Sequence, residues 1–211
     1  MYSSKFIFIS TLVLFSLISV SLAGKQSGFA YLKYFNTKNC SNDSEYGGLF
    51  VKAGSCIGKT VYDCSGDPNK IGIQKFKDND CSIPIEKKVY HRIDQCLEHV
   101  INHEYYGYSA SCVDSLVLPQ QSTVNFAYTG YCESPNWKEH IISATYSLLD
   151  TCVLLTHGSA KYRCTPNQLT TTSYTAYNND CRGEPQKIVT IPYSVYNFCS
   201  DINQVNICFN D

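Results

Sequence analysis

Past residue 24 the chain is written in short runs of alternating apolar and polar residues, few of them longer than eight. Phe29–Phe35, Leu49–Ala53, Lys59–Cys64, Ile71–Lys77 and Lys87–Arg92 each carry the period of two expected of a strand with one face covered. Ser65-Gly66-Asp67-Pro68-Asn69 is a turn cluster and Asp78-Asn79-Asp80 closes the strand that follows, so Lys59–Lys77 reads as a hairpin. One stretch breaks the rhythm. In Asp94–Glu104, Cys96, Leu97, Val100 and Ile101 recur at helical spacing and predict a short helix. Tyr105–Leu118 is strand-like again. Pro119-Gln120-Gln121 then marks a boundary, and Phe126-Ala127-Tyr128 echoes Phe29-Ala30-Tyr31. Ile141–Leu155 fits strand better than helix because Thr, Tyr and Ser are interleaved. Ala160–Cys164 with Leu169–Tyr177 makes a second hairpin, and Ile188–Tyr196 and Asn206–Phe209 close the series.

The echo extends to the cysteines. Tyr62-Asp63-Cys64 through Asn79-Asp80-Cys81 returns one hundred positions later as Tyr162-Arg163-Cys164 through Asn179-Asp180-Cys181, with the same number of residues between the cysteines. Gly58, Lys87 and Val89 match Gly158, Lys187 and Val189 at that offset. The expected architecture is mainly β: two tandem, disulfide-stapled antiparallel repeats with one short helix. Residues 24–118 form the first repeat, 119–124 a linker and 125–211 the second. Residues 1–23 have the pattern of a secretory signal peptide: Lys5 in a short n-region, the apolar run Phe6–Val20 and the small residues Ser21-Leu22-Ala23 before the cut. That run is shorter than the roughly 20 apolar residues that span a bilayer. No second such run follows, and the last residues carry no lipid-anchor or retention signal. The mature chain is therefore expected to be secreted, with no membrane insertion after cleavage.

The chain holds 12 cysteines, all beyond residue 24. In an oxidising compartment an even set reads as a disulfide framework. Cys40, Cys56, Cys64, Cys81, Cys96 and Cys112 fall in the first half, and Cys132, Cys152, Cys164, Cys181, Cys199 and Cys208 in the second. Each half is expected to close its own bonds. Hairpin geometry selects among the pairings. Cys64 and Cys81 would sit roughly 30 Å apart at opposite ends of an extended hairpin, and a disulfide needs Cα atoms within about 7 Å. Cys56–Cys81 and Cys152–Cys181, at the open ends of the hairpins, are the expected pairs. Strands as polar as Thr170-Thr171-Thr172-Ser173 bury little apolar surface, so these bonds carry much of the stability.

Composition narrows function by exclusion. The net charge is −1 and no basic run occurs, which leaves no signature for nucleic acid or an anionic membrane. No Cys-x-x-Cys spacing occurs and no cofactor or metal is expected. Ala53–Thr60 (AGSCIGKT) has the letters of a phosphate-binding loop, but strand-like Val61-Tyr62-Asp63-Cys64 follows where a helix is required, so it reads as a turn. His99 and His103, with His91 nearby, lack the HExxH order of a metalloprotease and read as a solvated helix face. Gly107-Tyr108-Ser109-Ala110-Ser111 misses the second glycine of a nucleophile elbow. Glu98, Glu104, Asp114, Glu133 and Glu139 are carboxylates for a glycosidase, yet no spacing picks out a pair.

What remains is tyrosine, 17 of them against one Trp. Tyr105, Tyr106 and Tyr108 lead the clusters and are the candidate binding residues, since amphipathic rings suit sugar stacking and protein contacts. Asn39-Cys40-Ser41 and Asn42-Asp43-Ser44 are N-glycosylation sequons in a hydrophilic stretch, with Asn42 the better acceptor because Asn39 adjoins a cysteine.

Tyr-x-Cys, a Thr/Ser/Tyr-rich strand and then Asn-Asp-Cys-x-Gly resembles the repeats of cysteine-rich proteins secreted by or displayed on social amoebae and related protists. The resemblance covers Cys152–Cys199 and, less fully, Cys56–Cys96, where Ser82-Ile83 stand in place of Arg182-Gly183. It implies exported β repeats and supplies no catalytic residues. The expected function is that of a secreted, non-catalytic interaction or matrix protein whose partner is a glycan or a cell-surface protein. The alternatives are a structural coat component and a small secreted hydrolase.

Overall fold

The computed structural model describes residues 28–101, 104–129, 136–175, 180–192 and 204–209, and the expected signal peptide over 1–23 lies outside them. The first half supplies β1 (Phe29–Phe35), β2 (Glu45–Lys52), β3 (Cys56–Ile57), β4 (Thr60–Asp63), β5 (Lys70–Lys75), β6 (Val89–Arg92), β7 (Leu97–Ile101) and β8 (Glu104–Val113). The second supplies β9 (Ser122–Tyr128), β10 (Ile141–Leu148), β11 (Val153–Leu155), β12 (Gly158–Thr165), β13 (Gln168–Tyr174), β14 (Lys187–Pro192) and β15 (Gln204–Phe209). Among the described residues the helical segments are two short 3-10 turns, Asn42–Ser44 and Trp137–His140.

The helix expected over Asp94–Glu104 is not there. Asp94 takes a left-handed φ of 57° that starts a turn, and Leu97–Ile101 then pairs antiparallel with β8. Cys96 just before it is tied to Cys40. On a strand Leu97 and Val100 fall on opposite faces, and Val100 is 53% exposed at the sheet edge; pairing with β8 outweighs the helical spacing.

The strands form three antiparallel sheets. A central sheet of seven runs β15-β9-β10-β2-β1-β8-β7, and two sheets of four run β3-β4-β5-β6 and β11-β12-β13-β14. Each half thus makes one small sheet of its own and lends the rest of its strands to the shared sheet. The halves meet where β2 pairs antiparallel with β10, from Val51↔Ser143 to Gly47↔Ser147. Of the expected linker only residues 119–121 lie outside a strand. Ser122, Thr123 and Val124 open β9 and are buried, because β9 is flanked on both sides in the sheet.

Strand alternation gives the central sheet two faces. Ala30, Leu32, Ala110 and Cys112 share one face through the pairings of β1 and β8. Both small sheets are fastened to it. Ile71 of β5 is fully buried against Ala30, Leu32 and Ala110, and Cys64 bonds Cys112 of β8. In the second half Cys164 at the end of β12 bonds Cys208 of β15. The opposite face carries a second core of Phe50, Val124, Phe126, Ala144 and Tyr146, with Leu116 and Leu118 from the β8–β9 connection packed against it. There the Tyr31 ring stacks on Phe50 at 4.1 Å. Tyr146 donates to the Glu45 carboxylate at 2.8 Å and, its one proton so engaged, accepts from the Tyr31 hydroxyl at 2.9 Å. Gly48 makes room for this network, since a Cβ there would lie 2.6 Å from the Tyr146 ring and 2.3 Å from the Leu32 carbonyl oxygen.

Candidate functional site

The cysteines come first, because they set the walls of the site. Cys56 bonds Cys81 and Cys152 bonds Cys181, the two pairs expected from the hairpins. Cys40–Cys96, Cys64–Cys112 and Cys164–Cys208 complete the five described bonds, each within one half. Cys132 and Cys199 lie outside the described residues. Cys81 and Cys181 hold nearly the same left-handed φ, 53° and 54°, so the two equivalent cysteines share a backbone conformation as well as the same kind of bond.

Between the small sheets, over the central one, lies a cleft of about 570 Å³. Its floor is Leu32 and Tyr34 of β1 with Thr145–Ser147 of β10. The first wall brings Thr60 and Tyr62 of β4 and Ile73 and Lys75 of β5. The second brings Val153–Leu155 of β11 and Tyr162 of β12. Tyr46, Tyr108 and Glu98 close the end. Tyr62 and Tyr162 are the tyrosines of the repeated Tyr-x-Cys motif. Each is placed by its hairpin and held by the disulfide two residues on, Cys64–Cys112 or Cys164–Cys208. Cross-strand pairing repeats as well: Tyr62 opposes Ile73, which opposes Val89, while Tyr162 opposes Thr171, which opposes Val189.

Six tyrosines line the cleft, Tyr146 among them at the floor, and burial raises the pKa of every phenol. Tyr46 and Tyr62 are pushed up to about 12 by desolvation, Tyr34 is raised further, and Tyr108 and Tyr162 are raised for the same reason. Tyr34 also feels Tyr62, Tyr46 and Tyr108 as neighbouring phenols, and its ring lies 6.1 Å from that of Tyr46. The lining is thus a set of neutral phenols that can donate or accept a hydrogen bond. Lys75 and Glu98 are exposed, one of each charge.

The candidate residues scatter otherwise. Of the tyrosines expected to bind, Tyr106 is buried, 7% exposed, in a core with Tyr46, Val153 and Leu154. It sits on β8, covered by strands on both sides, so it is structural and not a surface contact. Tyr108 is half-buried and does line the cleft. The Tyr105 side chain lies outside what the structure describes. Asn39 and Asn42 are both exposed, and Asn42 opens the 3-10 turn after β1.

The phosphate-loop lookalike is a two-residue hairpin turn. Gly58 and Lys59, with φ of 55° and 63°, join β3 to β4, and no helix follows. Ser109 is buried within β8. Glu98 lines the cleft, Asp114 and Glu139 are exposed elsewhere, and the Glu104 side chain and Glu133 lie outside the described residues. The side chains of His99 and His103 also lie outside them. Among the described residues no three His, Cys, Asp or Glu side chains gather where they could hold a metal ion, and no helix is long and apolar enough to cross a membrane.

Fold and cleft together define a disulfide-stapled, all-β protein built from two copies of one unit around a shared sheet. The chain belongs to the counting factor-associated protein A/B/C family of Dictyostelium, a social amoeba, whose family model matches residues 4–210. No curated protein and no solved structure matches it.

Proposed function

We propose that this protein is a secreted, non-catalytic recognition module that binds a glycan or protein partner at the cell surface through the tyrosine-lined cleft. The observation that carries the reading is the position of the cleft. Both copies build it, their equivalent tyrosines Tyr62 and Tyr162 line it, and disulfides fix both walls. Pockets of this size, mostly apolar with a few polar groups, are the usual form of a ligand site. The family's association with a counting factor, the disulfide framework and the signal-like residues 1–23 support an extracellular setting. Exposed Asn39 and Asn42 are the positions where the secreted chain would carry glycans of its own.

A hydrolase reading has less behind it. Glycoside hydrolysis needs two carboxylates facing the bond, and Glu98 is the one carboxylate lining the cleft among the described residues. The test is binding of labelled, oxidised mature protein to intact cells. Saturable binding that falls at least about tenfold in the Tyr62→Ala/Tyr162→Ala variant supports the reading. Absence of saturable binding, or binding indifferent to both tyrosines, overturns it.

A further inference from the structure

A cleft lined by tyrosines and uncharged hydroxyls suits one ligand chemistry. Resting on the recognition reading above, we infer that the cleft takes a short, uncharged saccharide, roughly two or three sugar rings in a site of this volume. A pyranose presents an apolar C–H face and a rim of hydroxyls. Tyr62 and Tyr162 offer ring surface on the two walls, and Leu32, Val153 and Leu154 offer apolar contact between them. Hydroxyl partners come from Thr60, Thr145, Ser147 and the phenols, which stay protonated across the whole neutral range.

Charge selects against the rivals. Lys75 and Glu98 cancel, so the lining has no net charge with which to hold a sulfated or uronic-acid glycan. A quaternary ammonium ligand also favours tyrosine rings, but such a site gains from an excess of negative charge, and Lys75 offsets Glu98 here. An acyl chain would offer the hydroxyls of Thr145 and Ser147 no hydrogen-bond partner. The like tyrosines on the two walls further suit a ligand with two similar units, as in a linear oligosaccharide.

The experiment titrates oxidised, full-length mature protein with neutral gluco-, manno-, galacto- and N-acetylglucosamine oligosaccharides. A sulfated and a uronate oligosaccharide and choline run in parallel, read by calorimetry and tyrosine fluorescence. The inference expects saturable binding of a neutral saccharide whose affinity is flat with salt and constant from mildly acidic to mildly alkaline solution. It expects Tyr62→Ala or Tyr162→Ala to weaken that binding at least about tenfold. Should an alanine variant not fold, Tyr162→Phe keeps the ring and is expected to lose several-fold through the missing hydroxyl. Preference for the anionic glycans or choline, or a steep fall in affinity with salt, overturns the uncharged class while the recognition reading stands. Cell binding with no saccharide binding overturns the inference in favour of a protein partner. Loss of both overturns inference and reading together.

Discussion

Removing the Cys64–Cys112 bond is the sharpest probe of how the cleft is built. The bond joins the end of β4 to the central sheet across a sequence separation of 48. Loop-closure entropy for a loop of that length puts its contribution at about 4 kcal/mol. What otherwise holds the first small sheet is Ile71, fully buried against Ala30, Leu32 and Ala110, with Tyr62 and Cys64 beside it. Truncating Ile71 to alanine costs about 2–5 kcal/mol by itself. Disulfide and apolar anchor lie side by side, so their losses should not add. The expectation for Cys64→Ala/Cys112→Ala is a stability loss of about 4 kcal/mol in guanidinium unfolding. Amide exchange should rise in β4 and β5 and stay unchanged in β12 and β13. Removing Cys56–Cys81, with a separation of 25, costs about 3.5 kcal/mol by the same reckoning. It should leave β4 and β5 docked, because that bond closes the hairpin on itself. An unchanged midpoint for Cys64→Ala/Cys112→Ala would refute the reasoning, as would faster exchange spread evenly over both small sheets.

Three further perturbations follow from the packing and the charges. Gly48→Ala should destabilise by about 1–3 kcal/mol or more, since its Cβ meets the Leu32 carbonyl and the Tyr146 ring, whereas Gly66→Ala, with open space around it, should change stability little; equal melting temperatures for the two would refute this. At high pH the buried phenols matter: their folded pKa values lie above the unfolded value near 10, so the stability they contribute is present below pH 10 and lost as pH rises beyond it. Phenolate absorbance should therefore show a late-titrating group of tyrosines that ionises only with unfolding, and a single reversible titration near pH 10 would count against it. At low pH the sign reverses. The Lys88 ammonium, 2.5 Å away, and the Ser65 hydroxyl hold Asp63 down to about 2, so its contribution is present above pH 4 and lost as pH falls toward 2. Solvent screening leaves about 1 kcal/mol of it, and Asp63→Asn should flatten that part of the acid unfolding curve.

Much of this was legible in the sequence, for identifiable reasons. Alternation marks a strand whenever one face is covered, so β1 is found at its bounds and both hairpins are found in place. The rise per residue was enough to set Cys56 beside Cys81. The helix misread at Asp94–Glu104 shows the limit: Leu97, Val100 and Ile101 carry helical spacing and Val100 breaks the period of two, yet pairing with β8 prevails and leaves Val100 exposed at the sheet edge. The role of Tyr106 was hidden for a related reason, because burial of a tyrosine depends on which strands flank its own. Tyr62 and Tyr162 were visible as the repeated Tyr-x-Cys motif, but as a mark of repetition. Their convergence needs β2 to pair with β10, and no local pattern in Glu45–Lys52 says which strand its open edge accepts.

The strand order has a consequence for how such a molecule can change. Reading outward from the β2–β10 seam, each half begins with the same elements: a hairpin, a third strand tied by a disulfide to the half's small sheet, and that small sheet above; the first half adds β7 at its edge. Antiparallel pairing of β2 with β10 is the arrangement that two identical subunits would adopt across a two-fold axis. The chain is in effect a dimer inside one polypeptide, and its cleft is the groove at the dimer seam. In a true homodimer every substitution in such a groove appears on both sides at once. Here Ile73 and Lys75 on one wall can stand across from Val153 and Leu154 on the other, so each half of the groove is free to fit a different end of its ligand.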